Sequence, residues 1–481
     1  MYPFSTSYLH TLVKRQGVKL NIHNPAAGLL ILIAALGFIA QFAHKLSING
    51  KNTFVMLREI AAFLVFGVLI AQLWAHVDYE SYHHFMETEL FNIPGVHHTV
   101  SVHFLVNDIF MTFFFGIAAA ELSEAIFLKK GDLNGAKAIL PVGATLGGVL
   151  VPAGMFLLFA SLDMVNGAIV PTATDIAFAW LGARLVFGGD HPATKFLLAL
   201  AVVDDFIGML LIAWRLPQGE MHMSGFALLA GAMATAYLFR RLSTRVDFFN
   251  HWEPYIAIPG IMAWFGLAQA GLHSALALVF VVPFMPLPHE EGDDGLFADN
   301  VHHHDSTVDR FKHSHESLID VGLGLFGLAN AGVVWWGVSN VWSEYSTLTL
   351  LSLGIGKLVG VSMFTAVTFV IARLFIPSLT LPINKKTGQR MYWSDLPTIG
   401  TLAGIGMTVA LFVISAGGFK DDMKLGALAS LMYLPIGVIM GRTIIKWRNK
   451  KGNVEVTSQV MEDISEDKPV DEETQAVAVG K

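Results

Sequence analysis

The chain has 481 residues, of which 54% are hydrophobic and only 14% are charged, and its mean hydropathy is +0.56. Soluble globular domains carry about 25% charged residues, so a water-soluble fold of this length would lack the polar side chains to cover its surface. The net charge of -7 excludes a basic nucleic-acid-binding protein, and the absence of cysteine excludes disulfides and thiolate chemistry. The composition therefore indicates a polytopic membrane protein.

Long apolar runs occur throughout the chain, and a helix needs about 20 apolar residues to cross a bilayer core of roughly 30 Å. The first run follows a polar segment and lacks the cleavage site of a signal peptide. We expect an all-α fold with 12 or 13 transmembrane helices. The thirteen predicted spans lie near 26–43, 58–77, 103–128, 138–160, 168–185, 194–214, 224–241, 253–271, 272–287, 317–336, 346–374, 394–416 and 424–447.

Lysine and arginine are distributed unequally between the two sets of alternate connections. One set, which includes the segment after the last span, holds 19 of them, whereas the opposite set holds only Arg215, Lys420 and Lys424. Cytoplasmic loops carry the excess of positive charge, so the C-terminus is predicted to be cytoplasmic. The side of the N-terminus stays open, because equal numbers of basic residues flank the run at 26–43.

The spans divide the chain into three regions. Residues 1–57 form an N-terminal segment with an additional hydrophobic helix, and residues 58–447 form the transmembrane domain. Within that domain we expect an external hairpin loop at 78–102 and a cytoplasmic loop at 288–316 that is rich in histidine and acids. Residues 448–481 are polar and acidic, which predicts a disordered tail.

Two adjacent carboxylates, Asp204 and Asp205, lie in the middle of the apolar run LLALAVVDDFIGMLLIAW. Charged groups inside a membrane are costly unless they are paired or hydrated, so they mark functional sites. Neighbouring residues on a helix point about 100° apart, so one carboxylate can bind a cation while the other faces another helix. A structural role for both as hydrogen-bond acceptors is the alternative.

Asp175 lies in the segment AIVPTATDIAFAW, where Pro171 and the threonines Thr172 and Thr174 interrupt an apolar span. Such a break exposes backbone groups at membrane depth, which is tolerated only where they line a cavity or are covered by protein. A carboxylate at the start of the second half-helix is favoured by the helix dipole. A proline kink with Asp175 as a simple helix cap is the alternative.

Lys357, in LLSLGIGKLVGVSMF, lies deep in another apolar span, and a buried ammonium needs a carboxylate partner. Asp204 and Asp205 are both possible partners. A second interrupted span, TLAGIGMTVALF, has its weak point at Gly404, Gly406 and Thr408. Two interrupted spans in corresponding halves of the chain are typical of an inverted-repeat transporter with its site at the midplane.

Six motifs together, PTATDIAFA, AVVDDFIG, GLHSA, FGLANAGV, LGIGKLVG and LAGIGMT, occur in the order and spacing of NhaA-type sodium/proton antiporters, and the similarity covers about residues 58–447. The resemblance implies two broken, crossing helices. It implies that Asp205 is the main cation-binding carboxylate and that Asp204 pairs with Lys357 when no cation is bound. It also implies that Thr174 flanks the Na⁺ site and that Asp175 and Lys357 balance the ends of the half-helices.

The same resemblance assigns accessory positions: Asp108 on the external side, and Glu121 and His315 in the response to pH. His273 is a further family position, for which a role in the pH response and a role as a packing histidine both stay open. It implies a homodimer joined through the external hairpin at 88–102. Na⁺, Li⁺ and H⁺ are the implied transported ions, with no cofactor and no catalytic residue, in a bacterial inner membrane.

The chain departs from the family pattern at three positions that bear on pH regulation. Ser123 and Glu124 replace the basic residues that the family has just after Glu121. Phe311 aligns with a family acid that is linked to the pH response. These changes leave the transport site intact and put the pH set-point in doubt.

The histidines and acids of the loop 288–316 have irregular spacing, so they predict a hydrated or pH-responsive loop more than a metal site. The absence of a GxxxxGK[ST] motif leaves an ATP-driven pump without support. An intramembrane aspartyl hydrolase would need Asp204 and Asp205 to converge, but adjacent helical positions point them apart. Two functions therefore remain: an electrogenic, pH-regulated Na⁺/H⁺ antiporter, and a cation-coupled symporter of a small organic anion.

Overall fold

The described part of the chain is almost entirely helical, which confirms the expected all-α fold. Its strands form two short antiparallel pairs: β1 (Ser47–Ile48) with β2 (Lys51–Asn52), and β3 (Glu89–Asn92) with β4 (Thr99–Ser101). The predicted run at 26–43 lies outside the described residues. The computed structural model describes residues 47–48, 51–52, 62–92, 99–128, 133, 135–215, 221–287, 306–334, 342–384 and 387–465.

Seven helices of the described ranges are long and apolar enough to cross a membrane, and an eighth span results if the bent pair at 393–416 is counted. The chain is therefore a polytopic membrane protein. Short 3₁₀ segments lie at Leu162–Thr172 and Ser274–Phe280. The helices are α1 (Ala62–Val77), α2 (Tyr79–Glu87), α3 (Val102–Phe127), α4 (Ile139–Phe159), α5 (Ile176–Phe187), α6 (Pro192–Arg215), α7 (Met223–Leu242), α8 (Ile261–Gln269), α9 (Thr307–Asn330), α10 (Glu344–Phe375), α11 (Leu396–Ala403), α12 (Met407–Ala416), α13 (Asp422–Ala429) and α14 (Tyr433–Ser465).

Three predicted boundaries differ from the structure. The loop predicted at 78–102 begins with α2, in which Tyr82 and Phe85 are buried; only its second part is the expected hairpin of β3 and β4. The helix α9 starts at Thr307, inside the predicted loop 288–316, because its first turns carry buried Val308 and Phe311 among the charged residues. The helix α14 continues to Ser465, which corrects the expected start of disorder at 448.

The chain forms two compact units. The smaller unit comprises residues up to Met111 together with His315–Val341. Within it, Asn107 and Asn330 exchange amide hydrogen bonds of 3.0 and 2.9 Å between α3 and α9. The larger unit comprises Thr112–Ser314 and Trp342–Lys481, and it contains both interrupted spans together with α6 and α10.

Close backbone contact between α4 and α10 shapes the larger unit. A Cβ on Gly147 would overlap the carbonyl oxygen of Gly360, and a Cβ on Gly360 would overlap that of Gly147. A Cβ on Gly356 would lie 2.8 Å from the Cα of Pro152. Without side chains at these positions the two backbones can touch, as small residues allow in membrane helix pairs. This contact holds the helix that carries Lys357.

We expect Gly147→Ala to lower the free energy of unfolding by about 1–3 kcal/mol, because the added methyl group forces α4 and α10 apart. Gly154→Ala is the matched control in the same helix, since a Cβ there meets no atom within 4 Å. Thermal unfolding of both variants in one detergent measures the difference. Equal melting temperatures for the two variants would contradict the close contact.

Candidate cation-binding site

The first interruption lies between the 3₁₀ segment Leu162–Thr172 and α5. Ala173 and Asp175 have extended backbone conformations, with φ/ψ of -69°/148° and -87°/104°. Asp175 caps α5, because its Oδ1 accepts a hydrogen bond of 3.2 Å from the backbone N–H of Phe178. The threonines and the aspartate of PTATD favour this break, since their side chains compete with the helix for backbone groups.

The second interruption lies between α11 and α12, whose axes are bent by 42°. It crosses the first one directly: the backbone N–H of Asp175 donates to the carbonyl oxygen of Ile405 at 2.6 Å. Gly406 allows this approach, because a Cβ there would lie only 2.8 Å from the carbonyl oxygen of Ala173. Gly406 of LAGIGMT therefore marks the place where one interrupted backbone passes against the other.

Asp175 connects the beginnings of the two half-helices α5 and α12. Besides capping α5, it accepts hydrogen bonds at Oδ2 from Thr408, one from Oγ1 at 2.9 Å and one from the backbone N–H at 3.3 Å. Thr408 lies in the first turn of α12. A helix N-terminus carries a partial positive charge, so one buried carboxylate faces two of these charges at once.

Lys357 lies in α10 and is completely buried. Its Nζ donates to the carbonyl oxygen of Thr172 at 2.5 Å, to Oγ1 of Thr174 at 2.6 Å, and to Oδ2 of Asp204 in an ion pair. An ammonium group has three protons, and all three have acceptors here. The lysine thereby joins α10 to α6 and to the interrupted backbone before α5.

Thr174 stands at the centre of these contacts. Its Oγ1 lies 2.6 Å from Oδ2 of Asp204 and 2.9 Å from the carbonyl oxygen of Ala403. Because the same oxygen accepts from Lys357, its single proton is directed to one of these two acceptors. Thr174 thus places a hydroxyl oxygen beside Asp204 and at the second interruption.

Asp204 is paired with Lys357, but it shares one unusual feature with Asp205. Asp205 is only 3% exposed, yet its Oδ1 has no hydrogen-bond partner among the described residues, and the same holds for Oδ1 of Asp204. Buried polar atoms in folded proteins are almost always hydrogen-bonded, so two such carboxylate oxygens on adjacent residues need an explanation. A hard cation with oxygen ligands, or a proton, supplies one. The donor set therefore fits Na⁺ as cargo.

Two of the predicted accessory residues, Glu121 and His273, belong to the larger unit, and they have different contacts. Glu121 is partly buried in α3, one turn before Glu124, which accepts a hydrogen bond of 2.7 Å from Lys312. His273 is buried; its Nδ1 accepts from the backbone N–H of Ala275 at 3.4 Å, and its ring lies 4.9 Å from that of Phe412.

Two accessory residues belong to the smaller unit. Asp108 is partly buried near the start of α3, and His315 is buried within α9, not in a loop as the sequence predicted. Most of the histidine-rich and acid-rich segment, 288–305, lies outside the described residues. Among the residues that the structure does describe, there is no cluster of three or more histidines and acids that could hold a metal ion.

Sequence reasoning missed two contributors to the site. The carbonyl oxygen of Thr172 accepts from Lys357, and Oγ of Ser430 accepts a hydrogen bond of 3.2 Å from the backbone N–H of Gly406. Ser430 lies in the short connection between α13 and α14 and is completely buried. Its neighbours in the chain, ALASLMYL, carry no signal that distinguishes this serine from a packing residue.

Ionisable side chains buried where two interrupted helices cross, inside apolar spans, are the arrangement of an ion-coupled secondary transporter. This class of protein moves ions and does not need the reactive nucleophile of an enzyme.

A family model described as Na⁺/H⁺ antiporter 1 matches residues 52–444. Proteins named Na(+)/H(+) antiporter NhaA from Desulfitobacterium hafniense, Geobacter sulfurreducens and Jannaschia sp. are 42%, 40% and 37% identical over 408, 400 and 417 residues. The alignments cover 82%, 81% and 79% of this chain and 96%, 97% and 94% of the relatives. The chain belongs to the Na⁺/H⁺ antiporter 1 family, whose members are secondary transporters.

Proposed function

We propose that the protein exchanges Na⁺ for H⁺ across a bacterial inner membrane, with Li⁺ as an alternative cargo. The observation that carries the proposal is the orphaned Oδ1 atom of Asp205, buried next to the Asp204–Lys357 ion pair. Membership in the Na⁺/H⁺ antiporter 1 family supports the same conclusion.

In the proposed mechanism, Na⁺ and protons compete for the same carboxylates. Na⁺ is a hard cation and takes oxygen ligands, here from Asp205, Asp204 and Thr174, with carbonyl oxygens of the interrupted backbone completing the set. A protonated carboxyl group binds Na⁺ poorly, so proton binding releases the cation. Na⁺ binding to Asp204 breaks the ion pair with Lys357.

Lys357 and Asp175 have electrostatic roles in this proposal. Lys357 neutralises Asp204 while no cation is bound, and Asp175 balances the partial positive charges of the N-termini of α5 and α12. If two protons exchange for one Na⁺, one net charge crosses per cycle, which is worth about 2.3 kcal/mol per 100 mV. We therefore propose that transport is electrogenic and that the membrane potential contributes to Na⁺ export.

The remaining assignments are proposals of the same kind. The excess of basic residues in one set of connections supports a cytoplasmic C-terminus. An inverted-repeat arrangement of the two broken helices supports a mechanism of alternating access. The paired strands β3 and β4 offer edges for a second copy, which supports a homodimer joined through 88–102. Glu121, His273, His315 and Asp108 are proposed to tune the response to pH.

Proton flux in proteoliposomes tests the function. We expect Na⁺ or Li⁺, added without any organic solute, to move protons in the opposite direction, with K⁺ as the comparison and a pH series to locate the active range. Proton flux that requires a small organic anion would replace antiport with the symporter. Equal ²²Na⁺ uptake at every pH, without proton counterflow, would contradict competition at one site.

A further inference from the structure

His191 precedes the helix that carries Asp204 and Asp205, and its side chain closes the first turn of that helix. The helix α6 begins with Pro192, which has no N–H group to satisfy. The next backbone N–H, of Ala193, donates to Nδ1 of His191 at 3.1 Å. Those of Thr194 and Lys195 donate to the carbonyl oxygen of His191 at 2.9 and 3.2 Å. His191 therefore satisfies the first three backbone donors of α6.

The cap at Ala193 requires the neutral imidazole. An Nδ1 atom can accept a hydrogen bond only while it carries no proton, and both ring nitrogens are donors in the protonated form. Protonation of His191 at Nδ1 therefore leaves the N–H of Ala193 without its acceptor. The two hydrogen bonds to the carbonyl oxygen of His191 do not depend on the proton.

Several elements hold the His191 ring in place. It stacks on Phe187 at the end of α5, with ring centroids 5.3 Å apart and an angle of 18° between the planes. The charged groups that face it are Asp395, before α11, and Arg448, on α14, which form an ion pair of 2.8 Å with each other. Asp190 and Lys195 are its charged neighbours along the chain.

The charge balance around His191 favours the capping form at neutral pH. Burial lowers the pKa of His191 below its ordinary value of 6.5, and Arg448 acts in the same direction, whereas Asp395 opposes them. A lowered pKa in the folded protein means that the cap is fully present above about pH 6.5. It is lost as the pH falls through the pKa of His191 in the folded state.

We propose that His191 is a positioning residue for the Asp204–Asp205 helix: its neutral ring anchors the start of α6, and a proton on Nδ1 releases that anchor. The inference rests on the proposed function, in which α6 carries the cation-binding carboxylates. Asp204 lies about 20 Å along the helix from the cap, at 1.5 Å per residue. A looser helix start gives the carboxylates a less defined position at acid pH.

Hydrogen–deuterium exchange of the full-length protein tests the anchor without any transport measurement. Exchange is compared between about pH 8 and a pH below the pKa of His191, which a titration series down to about pH 4 locates. After correction for intrinsic rates, we expect residues 193–195 to lose about fivefold in protection at the lower pH. His191→Asn retains a capping acceptor that does not titrate, so protection stays constant. His191→Ala lacks the cap, so protection is low at both values.

His222→Ala provides a matched control, because His222 is also the residue before a membrane helix, α7, but its side chain makes no capping hydrogen bond. We expect exchange at the start of α7 to stay unchanged in this variant. Protection at 193–195 that is independent of pH in the wild type would overturn the proposal. So would equal protection in His191→Asn and His191→Ala.

Proton flux with Na⁺ then tests the consequence for transport. For each protein, the activity at the acid end of the pH profile is expressed as a fraction of its own activity at neutral pH. We expect this fraction to be about fivefold larger for His191→Asn than for the wild type. An identical pH profile in the wild type, His191→Asn and His191→Ala would overturn the positioning role. Absence of Na⁺-dependent flux in all three proteins would instead contradict the proposed function, while the exchange result still decides whether the cap titrates.

Discussion

Asp205→Asn is expected to abolish Na⁺-dependent proton movement in everted vesicles. The carboxylate is buried, and its Oδ1 has no partner among the described residues, so a cation or a proton would be its natural ligand. Asparagine has nearly the same shape but neither the charge nor a titrating proton. Because removing even an outer-shell partner of a metal ligand costs 10–100-fold in affinity, we expect the apparent Na⁺ affinity to fall by at least about 100-fold.

Asp421→Asn is the matched control for this substitution. Asp421 is exposed and pairs with Lys424 at the surface, at 2.7 Å. We expect this variant to transport normally, since exposed ion pairs contribute only about 0–1 kcal/mol. Undiminished Na⁺/H⁺ exchange by a well-folded Asp205→Asn protein would refute the assignment of Asp205 as the cation ligand.

Lys357→Ala is expected to lower the free energy of unfolding by about 3–5 kcal/mol, because it leaves Asp204 as an uncompensated buried charge. It also removes three hydrogen bonds, to Thr172, Thr174 and Asp204. We further expect lost transport or altered charge movement per cycle, since the lysine no longer neutralises Asp204 in the cation-free state. Thermal unfolding and current measurements on proteoliposomes check the two effects.

A double variant separates the effect of the unpaired charge on stability from the effect of the cavity that truncation of Lys357 leaves. Lys357→Ala combined with Asp204→Asn removes both charges, so we expect it to recover a large part of the lost stability. Lys446→Ala, at an exposed position of α14, controls for the loss of a lysine as such. Equal destabilisation of the single and the double variant would show that packing, and not the ion pair, accounts for the effect.

Much of the fold follows from local sequence, with errors at particular boundaries. The apolar runs gave the all-α membrane class, and the PTATD and LAGIGMT segments are interrupted where proline, threonine and glycine predict. The helix α2 and the first turns of α9 were missed, because hydropathy detects spans and not helices that carry several charges. The extension of α14 to Ser465 was missed for the same reason.

Some residues of the candidate site can be recognised from the sequence, whereas their contacts cannot. Asp204, Asp205, Asp175 and Lys357 are recognisable because a charged residue in an apolar run is rare and costly, whatever its partners are. Their contact partners cannot be predicted from local sequence, because these partners come from segments far apart in the chain. Thr408 contacts Asp175 across 233 positions, and nothing local to either residue indicates this pairing.

The sequence by itself determined that this protein lies in the membrane, which charges it buries, and where two of its helices break. These properties depend on short stretches of chain, on hydropathy and on backbone propensity. Only the tertiary structure decided that Ser430 and the carbonyl oxygen of Thr172 join the site. It also shows the ion pair between Lys357 and Asp204 that the family resemblance implied and that the residues alone left open. Helical periodicity sets the direction of each side chain about its own axis, but the packing of distant helices decides what lies in that direction.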